Sequence, residues 1–279
     1  MTKLGLVAGG GSLPFEIAEH CRQVGRALFV VRLKGFAGPD LSGFEGADVG
    51  VAELGKCFKA LKRAGCEAVC LAGQVTRPDF SQLAPDLRGL AALPGAIAAA
   101  RRGDDALLRF LVGEFEKEGF AVEGAEAVMR DLGLPAGPLG RHAPTPEQLA
   151  DAEQALEVAR AIGRLDIGQG AVVCDGLVLA VEAQEGTDAM LERVARLPAH
   201  LRGQPGDRRG VLAKTPKPIQ ETRVDLPTMG LATVRGAAAA GLAGVVGEAG
   251  RLLVLDRDEA VALADELGLF ILGVKPKTP

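Results

Sequence analysis

Short apolar runs that alternate with amphipathic stretches constrain the first third of this chain more than any other feature. Residues 4–8, 27–33, 48–51 and 68–72 read as strands, and residues 13–24 and 56–64 read as helices between them. Strands that alternate with helices build βαβ units around a parallel sheet, and each crossover should be right-handed. Residues 93–101 and 105–117 read as two more helices. Asp104 is placed to cap the second, because a carboxylate there accepts from otherwise unpaired backbone N–H groups.

Residues 133–146 (GLPAGPLGRHAPTP) hold four prolines and three glycines, and no apolar periodicity survives them. The expected organisation is therefore an N-terminal Rossmann-like domain over 1–133, a linker over 134–146 and a C-terminal α/β catalytic domain over 147–279. In the second half, a helix is expected at 146–162 and strands at 171–174 and 177–182. Asp175–Gly176 between those strands is a two-residue hairpin signal. A helix at 187–196, with Thr187 as its N-cap, follows. Further strands are expected at 210–213, 231–234, 252–255 and 270–274, with helices at 235–246 and 258–267. The fold class is α/β: a parallel-sheet domain plus a second α/β domain with a mixed sheet.

Composition narrows the function classes. With 279 residues and 48% hydrophobic content the chain can bury real cores, yet aromatics are only 4%, with no Trp or Tyr. Base-stacking platforms are hard to build from that inventory, and a net charge of −4 gives no global attraction to nucleic acid. No nucleic-acid partner is expected. The start, MTKLGLVAGGG, has no basic region followed by an apolar one, so no signal peptide is expected. No apolar run reaches the roughly 18 residues of a membrane span. Cys21, Cys57, Cys66, Cys70 and Cys174 lack metal-site spacing and read as buried free thiols of a cytoplasmic protein.

Residues 214–230 (KTPKPIQETRVDLPTMG) place Lys214, Lys217, Gln220, Glu221, Arg223 and Asp225 close together, braced by Pro216, Pro218 and Pro227. Prolines fix their own φ and restrict the residue before them. If residues 220–226 are extended, the period of two puts Glu221, Arg223 and Asp225 on one face. Two readings stand: a site for a phosphorylated substrate with a divalent cation, or a charged edge strand with a proline turn. Gly9, Gly10, Gly11 and Ser12 close the first strand and open a helix, a place where backbone N–H groups can meet an anion. Pro14 occupies the last place of the dinucleotide fingerprint, and Arg32, Leu33 and Lys34 end the second strand without a ribose-binding acid, so NAD is disfavoured. Gln74 and Arg77 follow the fourth strand, at the sheet edge where open parallel sheets bind ligands. Glu182, Glu185, Thr187 and Asp188 surround a glycine turn that suits a hard cation or a phosphate oxygen, or a plain helix cap.

Together these motifs resemble one family. GLVAGGGSLP, LAGQVTRPD, GDDALLR, VEAQEGTDAM, KTPKPIQETRVDLPTMGLATV and LVLDRDEAVALADELGLFILGV, in this order, are similar to the UDP-2,3-diacylglucosamine pyrophosphatases of lipid A biosynthesis, the LpxI type. The resemblance covers nearly the whole chain. Such sequences usually read Lys-Pro-Gly-Gln-Asp where this one has Lys217, Pro218, Ile219, Gln220 and Glu221; Glu221 keeps the charge and Ile219 replaces a glycine.

The resemblance implies hydrolysis of UDP-2,3-diacylglucosamine to UMP and 2,3-diacylglucosamine 1-phosphate (lipid X), with water attacking the phosphorus on the sugar side. It also implies Mg2+, a homodimer, and a cytoplasmic enzyme in peripheral contact with the inner face of the membrane. Asp225 is then the essential carboxylate, as magnesium ligand or water-orienting group, with Glu221 and Asp188 as partner ligands. Arg223 joins Asp225 and Glu221 in the catalytic set. Gly10, Gly11, Ser12, Gln74, Asp104, Thr187, Lys214, Lys217 and Gln220 are the substrate-binding candidates, with a cleft between domains as the expected site. Residues 87–100 and 107–112 are candidates to line an acyl groove, or are ordinary helix core. The alternative function is a non-catalytic nucleotide-lipid binding protein, which would release no UMP.

Overall fold

The computed structural model describes residues 1–76, 83–217, 221 and 223–276. It divides into two compact units, Met1–Arg130 with Glu221–Val224 and Asp131–Gln220 with Asp225–Pro279.

The first unit runs β1 (Leu4–Ala8), α1 (Leu13–Gln23), β2 (Leu28–Leu33), β3 (Gly46–Val49), α2 (Leu54–Arg63), β4 (Ala68–Ala72), α3 (Leu87–Ala100), α4 (Asp104–Lys117), β5 (Ala121–Val122) and α5 (Ala125–Val128). Among the described residues its sheet has five strands in the order β3-β2-β1-β4-β5, and every pair is parallel. Every residue of β1 is buried, which is why that strand reads as a continuous apolar run instead of an alternating one. Val7, Val31 and Val69 pack on Cys57, Phe58 and Leu61 of α2 and on Phe115 of α4. Phe58 and Phe115 meet edge-on at 5.1 Å between ring centroids. Leu6, Val30 and Cys70, equally buried, alternate to the opposite face, where α1 lies against β1 and β2.

Several bounds in this unit differ from the sequence reading by a residue or two, and three differences matter most. β3 begins two residues before 48. α3 begins six residues before 93, because the Asp86 carboxylate caps it by accepting from Gly89 N, and Pro94 is carried inside the helix. Asp104 is not the cap of α4: Gly103, with φ of 125°, is the N-cap, and Asp104 is already the first helical residue. That φ lies where an L side chain is strained, so glycine takes the position.

The second unit runs β6 (Gly137–Leu139), α6 (Pro146–Arg164), β7 (Gly170–Cys174), β8 (Leu177–Val181), α7 (Gly186–Ala195), β9 (Val211–Lys214), β10 (Thr228–Met229), α8 (Leu231–Ala239), β11 (Gly244–Glu248), β12 (Leu253–Val254), α9 (Arg257–Leu267) and β13 (Phe270–Val274). Its main sheet, in the order β6-β13-β11-β9-β7-β8, is mixed: β9, β11 and β13 are parallel, while β6, β7 and the β7–β8 hairpin introduce antiparallel pairs. Both turn residues of the hairpin, Asp175 and Gly176, have positive φ, 50° and 76°, as the Asp-Gly signal requires. Val172, Leu212, Val245 and Ile271 face a core built with α7, α8 and α9. Val173, Val211, Ala213, Val246 and Leu272 face Ala152, Ala155 and Leu156 of α6. Each large aliphatic side chain buried this way contributes on the order of 1.5–3 kcal/mol. α6 starts with a capping box in which Thr145 and Gln148 satisfy each other's backbone N–H groups.

Three expectations fail here. Residues 134–146 are not wholly irregular, since Gly137–Leu139 forms an edge strand on β13. Residues 231–234 begin a helix, not a strand. Residues 235–246 are not one helix: α8 ends at Ala239 and β11 starts at Gly244.

All five cysteines are free and buried, and burial pushes the Cys57 thiol up to about 12 and Cys174 to about 11. Iodoacetamide at pH 8 is therefore expected to leave Cys57 unmodified in the folded protein and to label it readily in denaturant, counted by mass spectrometry. Rapid labelling of folded Cys57 would contradict its burial.

Candidate functional site

Lys214 ends β9 with a side chain only 4% exposed, an unusual place for a cation. Its Nζ donates to Thr187 Oγ1 at 2.8 Å and to the Thr228 carbonyl at 2.8 Å. Thr187 Oγ1 in turn donates to Glu182 Oε1 at 3.0 Å. Burial pulls the Lys214 ammonium below the usual lysine range, and Glu182, Asp188 and Asp225 oppose that pull. An ammonium has three donors. Among the described residues two of them are used, so the third is available to an oxygen of a ligand. The site is assembled by sheet order: β8 runs parallel to β9 through the intervening β7, so the ends of β8 and β9 lie at one edge of the sheet. Thr187 is not the helix cap expected of it. Glu185 is the N-cap of α7, and the Thr187 hydroxyl is committed to Lys214 and Glu182.

Among the described residues of 220–226, namely Glu221 and residues 223–226, the extended strand that would align Glu221, Arg223 and Asp225 is absent. Val224 N bonds the Glu221 carbonyl at 3.0 Å, so the backbone turns here instead of running extended. Arg223 grips Glu221 with Nε on Oε1 at 2.8 Å and Nη2 on Oε2 at 2.9 Å. Its Nη1 reaches Glu116 Oε1 at 2.8 Å. The guanidinium beside it holds the Glu221 carboxyl below the usual range, with Arg109 adding to the effect. Glu221 and Arg223 thus belong to the first unit, while Asp225, with Asp188 and Lys214, belongs to the second.

Lys217 in the second unit pairs with Asp166 at 2.7 Å. Gln220 lies outside the described residues, as does Arg77. In the first unit, Gly10 and Gln74 exchange backbone bonds, each 2.8 Å. A Cβ on Gly9 would stand 2.7 Å from the Gln74 carbonyl, and one on Gly73 2.6 Å from that of Gly10. Glycine is needed at both positions for that close approach. Gly11 and Ser12 are exposed at the start of α1, and Ser12 Oγ donates to Glu16 Oε1 at 3.0 Å. Asp104 sits in the first turn of α4.

Among the described residues no three His, Cys, Asp or Glu side chains gather closely enough to hold a metal ion. Asp188 and Asp225 both act on Lys214. Asp188 and Asp225 are the carboxylates that would hold Mg2+ if it binds here, with water and substrate oxygens as its other ligands. Glu221 has both oxygens on Arg223.

Two further acids stand out: Glu182, already read from the sequence as part of the glycine turn, and Asp105. Glu182 is 6% exposed and its Oε2 has no partner among the described residues. Asp105 is 3% exposed. An acid closing an apolar strand run, and an acid at i before Arg109 at i+4, were the available signals.

The comparisons with known proteins agree on family. Residues 3–132 match the LpxI N-terminal domain and residues 135–272 match the LpxI C-terminal domain. A protein of Caulobacter vibrioides named UDP-2,3-diacylglucosamine pyrophosphatase LpxI is 66% identical over 277 residues, 99% of each chain. Two solved structures are more remote, each 15% identical. An Aspergillus clavatus N5-carboxyaminoimidazole synthase covers 71% of this chain and 45% of its own, with a TM-score of 0.25. A Thermus thermophilus UDP-glucose 4-epimerase covers 99% and 86%, with a TM-score of 0.31; at these scores neither carries an argument. Matched by both domain families over most of its length, and two-thirds identical to a curated member over almost its full length, the chain belongs to the LpxI family.

Proposed function

We propose that this protein hydrolyses the pyrophosphate bond of UDP-2,3-diacylglucosamine, with Mg2+, to UMP and 2,3-diacylglucosamine 1-phosphate. The observation that carries the reading is the 66% identity, over 99% of both chains, to a protein named for that activity. The buried Lys214 among Glu182, Asp188 and Asp225 supports it.

Pyrophosphate cleavage gathers negative charge on phosphoryl oxygens, and positioned cations lower the barrier. Lys214 is held by Thr187 and the Thr228 carbonyl, so its remaining donor meets a phosphate oxygen without reorganising. Asp225 holds the attacking water or the metal, and Asp188 is its partner carboxylate. Arg223 has five N–H donors, of which Glu221 and Glu116 take three, and its role is to donate to a phosphate oxygen. Gly10, Gly11, Ser12, Gln74 and Asp104 contact the uridine diphosphate or sugar, and Lys217 and Gln220 complete the phosphate-binding set. The bound Mg2+ supplies charge neutralisation on the phosphates.

The same reading makes the protein a cytoplasmic homodimer in peripheral contact with the inner membrane, where its doubly acylated substrate resides. Leu87 and Leu90 of α3, 88% and 56% exposed, suit acyl chains or lipid. The test is UMP release from UDP-2,3-diacylglucosamine, followed with Mg2+ and with a chelator. Release that stops on chelation is expected; release indifferent to chelator would remove the metal from the account, and stoichiometric binding without release would replace the enzyme by a carrier.

A further inference from the structure

We infer that Asp105 is a positioning residue that sets the orientation of Arg223 by holding the Glu221 backbone on α4. The inference rests on the reading above, in which Arg223 donates to a phosphate oxygen.

Asp105 is a buried carboxylate, 3% exposed, which costs free energy unless it is well bonded. Its Oδ1 accepts the Glu221 backbone N–H at 2.6 Å, across 116 positions of chain. Its Oδ2 forms an ion pair with Arg109 Nη2 at 2.7 Å, one helical turn along, but makes no hydrogen bond among the described residues, so the bond to Glu221 is the one that holds it. Further down the same helix, Glu116 holds Arg223 Nη1 at 2.8 Å. Residues 105, 109 and 116 fall within about 40° of one another around a helix of 3.6 residues per turn, so they form one stripe roughly 16 Å long.

The four side chains form a chain of command. Asp105 fixes the Glu221 backbone, and Glu221 fixes the guanidinium fork through two parallel bonds. Glu116 accepts one N–H of Arg223 Nη1, which leaves one N–H on each terminal nitrogen. An Arg aimed this way meets a phosphate without searching rotamers, and a displacement of about 1 Å in such a group costs on the order of 100-fold. Helix capping does not account for the arrangement, since Gly103 is the cap of α4 and the Asp105 acceptor is spent on a distant turn.

The test compares Asp105→Ala, Asp105→Leu and Asp105→Asn with wild type in the full chain, by hydrogen exchange at the Glu221 amide and by UMP release. Asn keeps an Oδ1 acceptor; Leu keeps the volume without one. Fast Glu221 exchange and kcat/KM lowered about 10- to 100-fold are expected in Ala and Leu, with both largely restored in Asn. Wild-type kcat/KM in Asp105→Ala, or Asp105→Asn as impaired as Asp105→Leu, would overturn the positioning role. Loss of fold in Ala and Leu alike, seen by circular dichroism, would also overturn it by giving Asp105 to stability. Absence of UMP release by wild type would sink the pyrophosphatase reading instead, and Glu221 exchange would still report on the Asp105–Glu221 bond.

Discussion

Asp225→Ala is expected to lower kcat for UMP release by about 10²–10³-fold, the cost typical of removing one preorganised group that serves the charge developed in the transition state. The fold should survive, because Asp225 is only half-buried and follows a turn instead of sitting in a core. Asp225→Asn should behave similarly, since it keeps shape and loses charge. Both variants also remove one of the three acids that oppose the burial of Lys214, so the ammonium should lose its proton at a lower pH than in wild type. Activity within tenfold of wild type in either variant would remove Asp225 from the chemistry.

Lys214→Met carries the second large effect, on stability. Deleting one partner of a buried, hydrogen-bonded charge cluster costs about 3–5 kcal/mol, because Glu182 at 6% exposure loses the cation that reaches it through Thr187. Urea unfolding is the measurement. The pH dependence has a defined sign. The folded-state value of Lys214 is depressed, so between that value and the unfolded one the unfolded chain binds more protons. Stability contributed at this position therefore rises with pH across that window. The gap between wild type and Lys214→Met should widen as pH rises through it. A gap below 1 kcal/mol would mean the cluster is better solvated than its burial indicates.

The parallel sheet was legible because buried parallel strands are short apolar runs. The expected bounds of β1, β4 and β13 agree with the structure to the residue. Residues 231–246 were misread for a physical reason. Leu231–Val234 is apolar and β-branched enough to pass for a strand, yet it is the first turn of α8. Val245 and Val246, between glycines, form a central strand that only the neighbours β9 and β13 identify.

The candidate site was legible by residue type and not by geometry. Proline bracing pointed to restraint in residues 214–230, whereas Lys214 is held by Thr187 and the Thr228 carbonyl. The supposed common face of Glu221, Arg223 and Asp225 depended on an extended backbone, and a turn at Val224 replaces it. Thr187 and Glu182 meet Lys214 only because an antiparallel strand separates β8 from β9, a topology that local sequence does not encode. Asp105 lies 116 positions from its partner Glu221, beyond the reach of any periodicity argument.

The central claim is hydrolysis with attack on the sugar-side phosphorus. The most direct measurement is mass spectrometry of the products formed from UDP-2,3-diacylglucosamine in 18O-labelled water with Mg2+. The account predicts unlabelled UMP and a 2,3-diacylglucosamine 1-phosphate that carries one 18O. Label in UMP, or intact substrate bound to the protein without products, would contradict it.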